Sequence, residues 1–181
     1  MKKDASVISV CLLGSPLGPM VAACTSRGLT LLEFGNLEQI EKDLKQLCSQ
    51  TTMMWRLENH PILQQTAKEL EAYFAGSLKR FSVPLDPQGN DFAQSVWQIL
   101  LEIPYGTTWS YKQQADIMNN PLAIRAIASA NGRNPVAIII PCHRVIGTNG
   151  QLTGYAGGLE KKKWLLQFEL ANSPVQPGAL F

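Results

Sequence analysis

The sequence predicts an α+β fold in two parts: an antiparallel sheet with helices, then a mainly helical half that carries a helix-turn-helix. Three observations predict it. Short apolar runs punctuated by Gly and Pro open the chain, as in a meander of strands. Apolar residues at helical spacing take over from Leu37 onward. Between the halves, "SVPLDPQGND" (82–91) has the Pro, Gly and Asp content of a linker. The expected domains are 1–86 and 87–173, with a tail at 174–181.

In chain order, "SVISVCLLG", "GPMVAACTS" and "GLTLLEFG" read as three strands of a small sheet. Asn36 can cap a helix whose Leu37, Ile40, Leu44 and Leu47 share one face. "HPILQQTAKELEAYFAGS" repeats that pattern, with Pro61 at its start and Gly76 near its end. Beyond the linker, Phe92, Val96, Ile99, Leu100 and Ile103 form a helical stripe that stops at "IPYGT". Ser110 and Gln113 have capping-box spacing and open the helix "YKQQADIM". After "NNP", Asn120 and Pro121 start a second helix, "LAIRAIASANG", which Gly132 closes. Two short helices around a tight turn make the helix-turn-helix.

On the second helix Ile124, Ile127 and Asn131 share one face, while Arg125 points the other way beside Ala128 and Ser129. Small residues around an exposed arginine let a helix lie close to a DNA groove; a solvated surface arginine is the bland alternative. "NPVAIIIPCHRVIG" (134–147) reads as a buried strand between Pro135 and Pro141 that delivers Cys142, His143 and Arg144 at its end. A lone cysteine in an apolar run is more often inert core. Here Pro141 ends the strand, and a helix start beyond it would favour a thiolate, as would a neighbouring imidazole.

Bulk properties bound the function. The chain has 181 residues, a net charge of +2 and four cysteines without CxxC spacing. No strongly basic stripe is present, so any nucleic-acid contact is local. The cysteine pattern suits a reducing cytoplasm rather than a disulfide framework. "VAAC" (21–24) loosely resembles a lipoprotein cleavage site after Lys2 and Lys3, but Gly14, Pro16, Gly18 and Pro19 interrupt the apolar centre a signal peptide needs. No run approaches membrane-spanning length.

"IPCHRVIG", preceded by "NGRNPVAIII" and followed by "GYAGGLEKKKWLLQFE", closely resembles the active-site region of the O6-alkylguanine-DNA alkyltransferases, or methylated-DNA–protein-cysteine methyltransferases. The likeness is strong from Asp91 to Glu169 and weaker before it. It implies a ribonuclease-H-like N-terminal domain and irreversible, single-use transfer of an alkyl group from O6-alkylguanine in duplex DNA, with O4-alkylthymine as a second substrate. Cys142 would be the acceptor. His143, acting through a water, would be its base, and Glu169 would orient the histidine. Tyr111 would help rotate the nucleotide and protonate the departing guanine, Arg125 would fill the vacated stack, and Asn134 would brace the turn. Val145, Tyr155 and Ala156 would line the guanine pocket, and Ala126, Ala128 and Ser129 would meet the minor groove. Ala156 stands where many members have serine, which leaves the preferred substrate open. Some relatives carry zinc, but His60 and His143 are the only histidines, so no metal and no cofactor are expected. The implied partner is double-stranded DNA, not a membrane, met by a monomer able to coat DNA cooperatively. A thiol hydrolase, a lesion-binding module and a sequence-specific regulator are the rival readings; the lesion binders lack the acceptor cysteine.

Overall fold

A computed structural model describes residues 7–49 and 54–174, which divide into two compact units, Met1–Gln88 and Gly89–Phe181. Lys2, Lys3 and residues 175–181 of the tail lie outside the described residues, as do the side chains of Leu47 and Cys48.

In the first unit β1 (Val7–Leu13), β2 (Met20–Cys24) and β3 (Leu29–Phe34) form the antiparallel meander, in the order β3-β2-β1. The fourth strand, β4 (Met54–Leu57), was not legible in the sequence and runs parallel to β1. Helix α1 (Leu37–Ser49) opens on the expected cap: Asn36 and Gln39 exchange backbone-to-side-chain hydrogen bonds at 3.0 Å each way. Its Ile40 and Leu44 bury against Ile8, Val10, Val21, Ala23 and Leu31. The alternate residues of β2, Met20, Ala22 and Cys24, are also fully buried. Helix α2 (Pro61–Phe74) packs on β1, β2 and β3, and its buried residues belong to none of the α1 cluster, so the sheet is covered on both faces. "VAAC" is thus interior strand.

The start of the Pro-rich stretch is tied down rather than free. Leu29 N–H donates to Pro84 O and Asp86 N–H to Leu29 O, both at 2.8 Å, while Asp86 pairs with Arg27. Gly28 permits this approach, since a Cβ there would lie 2.8 Å from the Leu85 carbonyl carbon.

The second unit is mainly helical. Helix α3 (Asp91–Leu100) is capped by Asn90 and buries Ala93, Val96, Trp97 and Leu100. The buried face is shifted from the expected stripe, because Trp97 turns inward to donate its indole N–H to Ala130 O at 2.9 Å. A two-stranded parallel pair, β5 (Trp109–Ser110) with β6 (Val145–Ile146), joins the start of α4 (Tyr111–Ile117) to the segment just past Cys142. Helix α5 (Ile124–Gly132) follows a 3-10 turn at Pro121–Ala123, and α6 (Leu159–Ala171) ends the unit. The Ser110–Gln113 capping box forms as expected, whereas the Asn120 side chain caps nothing.

Two further expectations are corrected. Val136–Ile140 is buried but is not a strand. It folds on itself: Ile139 N–H reaches Ala137 O across Ile138, whose φ of 69° makes a positive-φ γ-turn, and Cys142 N–H reaches Ile140 O across Pro141. Its donors are spent locally, Val136 N–H on Asn134 Oδ1, Ile139 N–H on Ala137 O and Ile140 N–H on Val136 O, and periodicity alone cannot tell such a buried coil from a strand. Ile124 also lies away from the core. It is 37 % exposed, whereas Ile127 and Asn131 are buried as expected, because the 3-10 start of the helix rotates its first turn outward.

Candidate active site

Cys142 opens a single 3-10 turn, Cys142–Arg144, so the helix start anticipated there amounts to one turn. Cys142 as a residue is half-buried. Asn134 holds it. The Asn134 amide donates from Nδ2 to Cys142 Sγ at 3.2 Å and to Ile140 O at 2.8 Å, while its Oδ1 accepts from Val136 N–H at 3.0 Å. One side chain thereby fixes both ends of the γ-turn segment. Burial pushes the Cys142 thiol up; the Asn134 N–H and the Lys162 charge pull it part of the way back.

His143 is fully buried and meets Glu169 Oε1 through Nε2 at 2.8 Å. Burial lowers its pKa despite the carboxylate, so the ring is neutral at pH 7. A neutral ring facing an ionised carboxylate carries its proton on Nε2, which leaves Nδ1 with a lone pair. Nδ1 has no protein partner among the described residues.

Glu169, also fully buried, is held by more than the histidine. Arg144 Nε donates to Oε2 at 2.8 Å and Nη2 to Oε1 at 3.0 Å, and Gly106 N–H adds a bond to Oε2 at 3.2 Å. Burial opposes its ionisation, but His143 and then Arg144 hold the carboxyl well below the usual range. Gly106 has φ 73°, and a Cβ there would meet the Ser173 Cβ at 2.6 Å, so only glycine brings this N–H to the carboxylate. Arg144 also donates to Ile103 O at 2.6 Å and lies over the Tyr105 ring.

A pocket of about 470 Å³ opens beside this cluster, walled by Tyr111, Ile124, Arg125, Ala128, Thr153, Gly154, Tyr155 and Ala156. Tyr111 is the first residue of α4, delivered there by the β5–β6 pair. Burial raises its pKa, a hydrogen bond with Thr153 lowers it, and Cys142 raises it again, so the phenol stays protonated within electrostatic reach of the thiol. Tyr155 stands edge-on to His143 with ring centres 6.4 Å apart, and its pKa is raised well above the ordinary value by burial. Of the expected pocket residues, Tyr155 and Ala156 are in this wall; Val145 is fully buried in β6 and is not. Arg125, Ala126 and Ser129 are exposed on α5, with Ala128 half-buried. Arg133 donates to Ser129 Oγ.

Gly106 and Lys162 escaped the sequence reading, and Arg144 was singled out beside the thiol without its carboxylate partner. An arginine inside a buried run requires a carboxylate partner, which is the signal that could have found it. Among the described residues no group of three or more His, Cys, Asp or Glu is placed to hold a metal ion.

The family model described as "6-O-methylguanine DNA methyltransferase, DNA binding domain" matches residues 91–171, and "6-O-methylguanine DNA methyltransferase, ribonuclease-like domain" matches residues 10–87. The methylated-DNA–protein-cysteine methyltransferase of Methanosarcina barkeri is 46 % identical over 161 residues, covering 89 % of this chain and 96 % of that protein. The chain belongs to this methyltransferase family. The Mycobacterium tuberculosis relative of the same name is 43 % identical over 163 residues, covering 90 % and 93 %. Among solved structures, Mycobacterium tuberculosis OGT in complex with DNA has a TM-score of 0.76 at 43 % identity, covering 93 % of this chain and 96 % of that one. As in that family, the structure is an α+β fold with an N-terminal sheet and a helical C-terminal part.

Proposed function

We propose that this methyltransferase repairs O6-alkylguanine in duplex DNA by moving the alkyl group onto its own Cys142. The reading is supported above all by the hydrogen-bonded thiol of Cys142 standing next to the buried His143–Glu169 pair, with Tyr111 in the adjoining pocket wall. His143 Nδ1, through a water, takes the thiol proton. The thiolate attacks the alkyl carbon, the S–C bond forms as the C–O6 bond breaks, and the bonding electrons leave with guanine. Tyr111 gives its phenol proton to that leaving base and is reprotonated from the proton His143 took, so charge and protons balance.

The alkyl group of a stacked base is out of reach, so the nucleotide turns out into the pocket. Unstacking costs a few kcal/mol, and Arg125, exposed at the rim, offsets part of it by filling the stack. Ala126, Ala128 and Ser129 let α5 approach the minor groove closely. The protein acts as a monomer, in the reducing cytoplasm that suits its free thiols Cys11, Cys24 and Cys142. Binding and chemistry reside in 87–173. Among the described residues no helix is long and apolar enough to cross a membrane.

The test is stoichiometry. With an excess of duplex carrying one O6-methylguanine, repaired guanine should rise to one equivalent of protein and stop; repair that continues past one equivalent overturns the reading.

A further inference from the structure

Lys162 lies on the buried face of α6 with 0 % of its surface exposed. Its Nζ donates to three backbone carbonyls: Val145 O at 2.6 Å, Thr153 O at 2.8 Å and Gly154 O at 3.3 Å. An ammonium has three N–H donors, so these acceptors use its full capacity. No carboxylate pairs with it in the ion pairs of the described residues. A buried cation held by carbonyl dipoles alone is an expensive way to fill a core, since a methionine would occupy similar space without the desolvation cost.

The identity of the three carbonyls gives the cation a task. Val145 starts β6 immediately after the Cys142–Arg144 turn. Thr153 and Gly154 belong to the stretch between β6 and α6 that has no regular structure of its own, and both wall the pocket beside Tyr155 and Ala156. A single side chain from α6 therefore ties the pocket wall to the segment that carries the thiol.

We infer that Lys162 is a positioning residue of the alkyl-transfer site, fixing the pocket loop against the strand after Cys142 and supplying a buried positive charge that favours the thiolate. The electrostatics agree with the geometry. Burial drives the Lys162 amine down to about 8, and Cys142 is the group that pulls it back up. Lys162 in turn lowers the Cys142 thiol and helps keep His143 neutral, while Glu169 faces the histidine and Arg144 rather than the lysine.

The loop half of this inference rests on the proposed alkyl transfer, whereas the charge half concerns only the thiol, and the two can be read separately. In the full-length protein with Lys162→Met, the pH midpoint for carbamidomethylation of Cys142 by iodoacetamide should rise by about one unit, as expected for loss of a nearby buried charge. The concentration of free O6-benzylguanine that half-saturates single-turnover transfer should rise by roughly tenfold, the equivalent of one well-made set of positioning contacts. A variant with wild-type circular dichroism in which either quantity stays at its wild-type value overturns the inference. If the wild-type protein reacts with neither duplex O6-methylguanine nor free O6-benzylguanine, the alkyl-transfer reading falls and the iodoacetamide midpoint alone decides the role of the charge; if it reacts with the duplex alone, the half-saturating duplex concentration takes the place of the free base. If Lys162→Met does not fold, lysine side-chain NMR decides: the Lys162 titration should move to lower pH in Cys142→Ala than in wild type, and an unmoved titration overturns the inference.

Discussion

Glu169 holds two neighbours with one carboxylate, orienting His143 through Oε1 and neutralising Arg144 through both oxygens. Replacing it with Gln therefore has two effects that can be separated. Glu169→Gln leaves a buried guanidinium without its partner, which should cost about 3–5 kcal/mol of stability by urea unfolding. It also removes the anion that fixes the His143 proton on Nε2, so single-turnover transfer at pH 7 should slow and its pH profile should move. Adding Arg144→Leu should restore much of the stability but none of the rate; recovery of both together would show that Glu169 acts only as a structural counter-ion. The histidine and its carboxylate were readable from the motif, because Cys142, His143 and Glu169 stand at matched positions. The buried places of Arg144 and Lys162 were not, because charged side chains are assigned to the surface by default. On α6 the buried positions Lys162, Leu165, Leu166 and Glu169 do follow helical spacing, but two of the four are charged, so the apolar stripe that would betray the face is missing.

At the scale of elements, the site depends on two short constructions. The first is the γ-turn segment from Asn134 to Pro141, where Ile138 sits at positive φ, a strained state for a β-branched residue that persists because Asn134 binds both ends of the segment. Asn134→Ala should lose about 2–3 kcal/mol, the sum expected for buried hydrogen bonds that leave their partners unsatisfied, with a fall in thermal midpoint and slower alkylation of Cys142. Unchanged reactivity at reduced stability would separate bracing from chemistry. The second is the helix-turn-helix, which was legible from its caps and breakers. Its internal lock was only half so: Asn131 was placed on the core face, but its partner Gln114, accepting from Asn131 Nδ2 at 2.8 Å, reads as an ordinary surface glutamine. The lock leaves Arg125 on the free face of α5. Arg125→Ala should lose most repair of duplex substrate while keeping most of the slow reaction with free O6-benzylguanine, and equal loss on both would assign Arg125 a different role. Strand β4 escaped notice because "MWRL" is four residues long and mostly exposed, too little for alternation to register.

At the scale of the whole molecule, the buried charge network makes acid the weak direction. His143 and Glu169 both have folded-state pKa values below their ordinary ones, so the unfolded chain binds protons that the folded chain refuses. Stability is then present above the unfolded values and lost as pH falls, from about pH 6.5 for the histidine and from about pH 4.3 for the carboxylate. Urea midpoints should decline from pH 7 to pH 5, and the decline should be shallower in His143→Phe; parallel curves would remove the histidine from the account. The central claim is that Cys142 is the final resting place of the alkyl group, and intact-mass measurement followed by peptide mapping tests it most directly. After incubation with excess O6-methylguanine duplex, each protein molecule should gain one methyl group, located on the peptide containing Cys142, and Cys142→Ala should gain none. Repaired DNA alongside an unmodified Cys142, or a methyl group on any other residue, would contradict it.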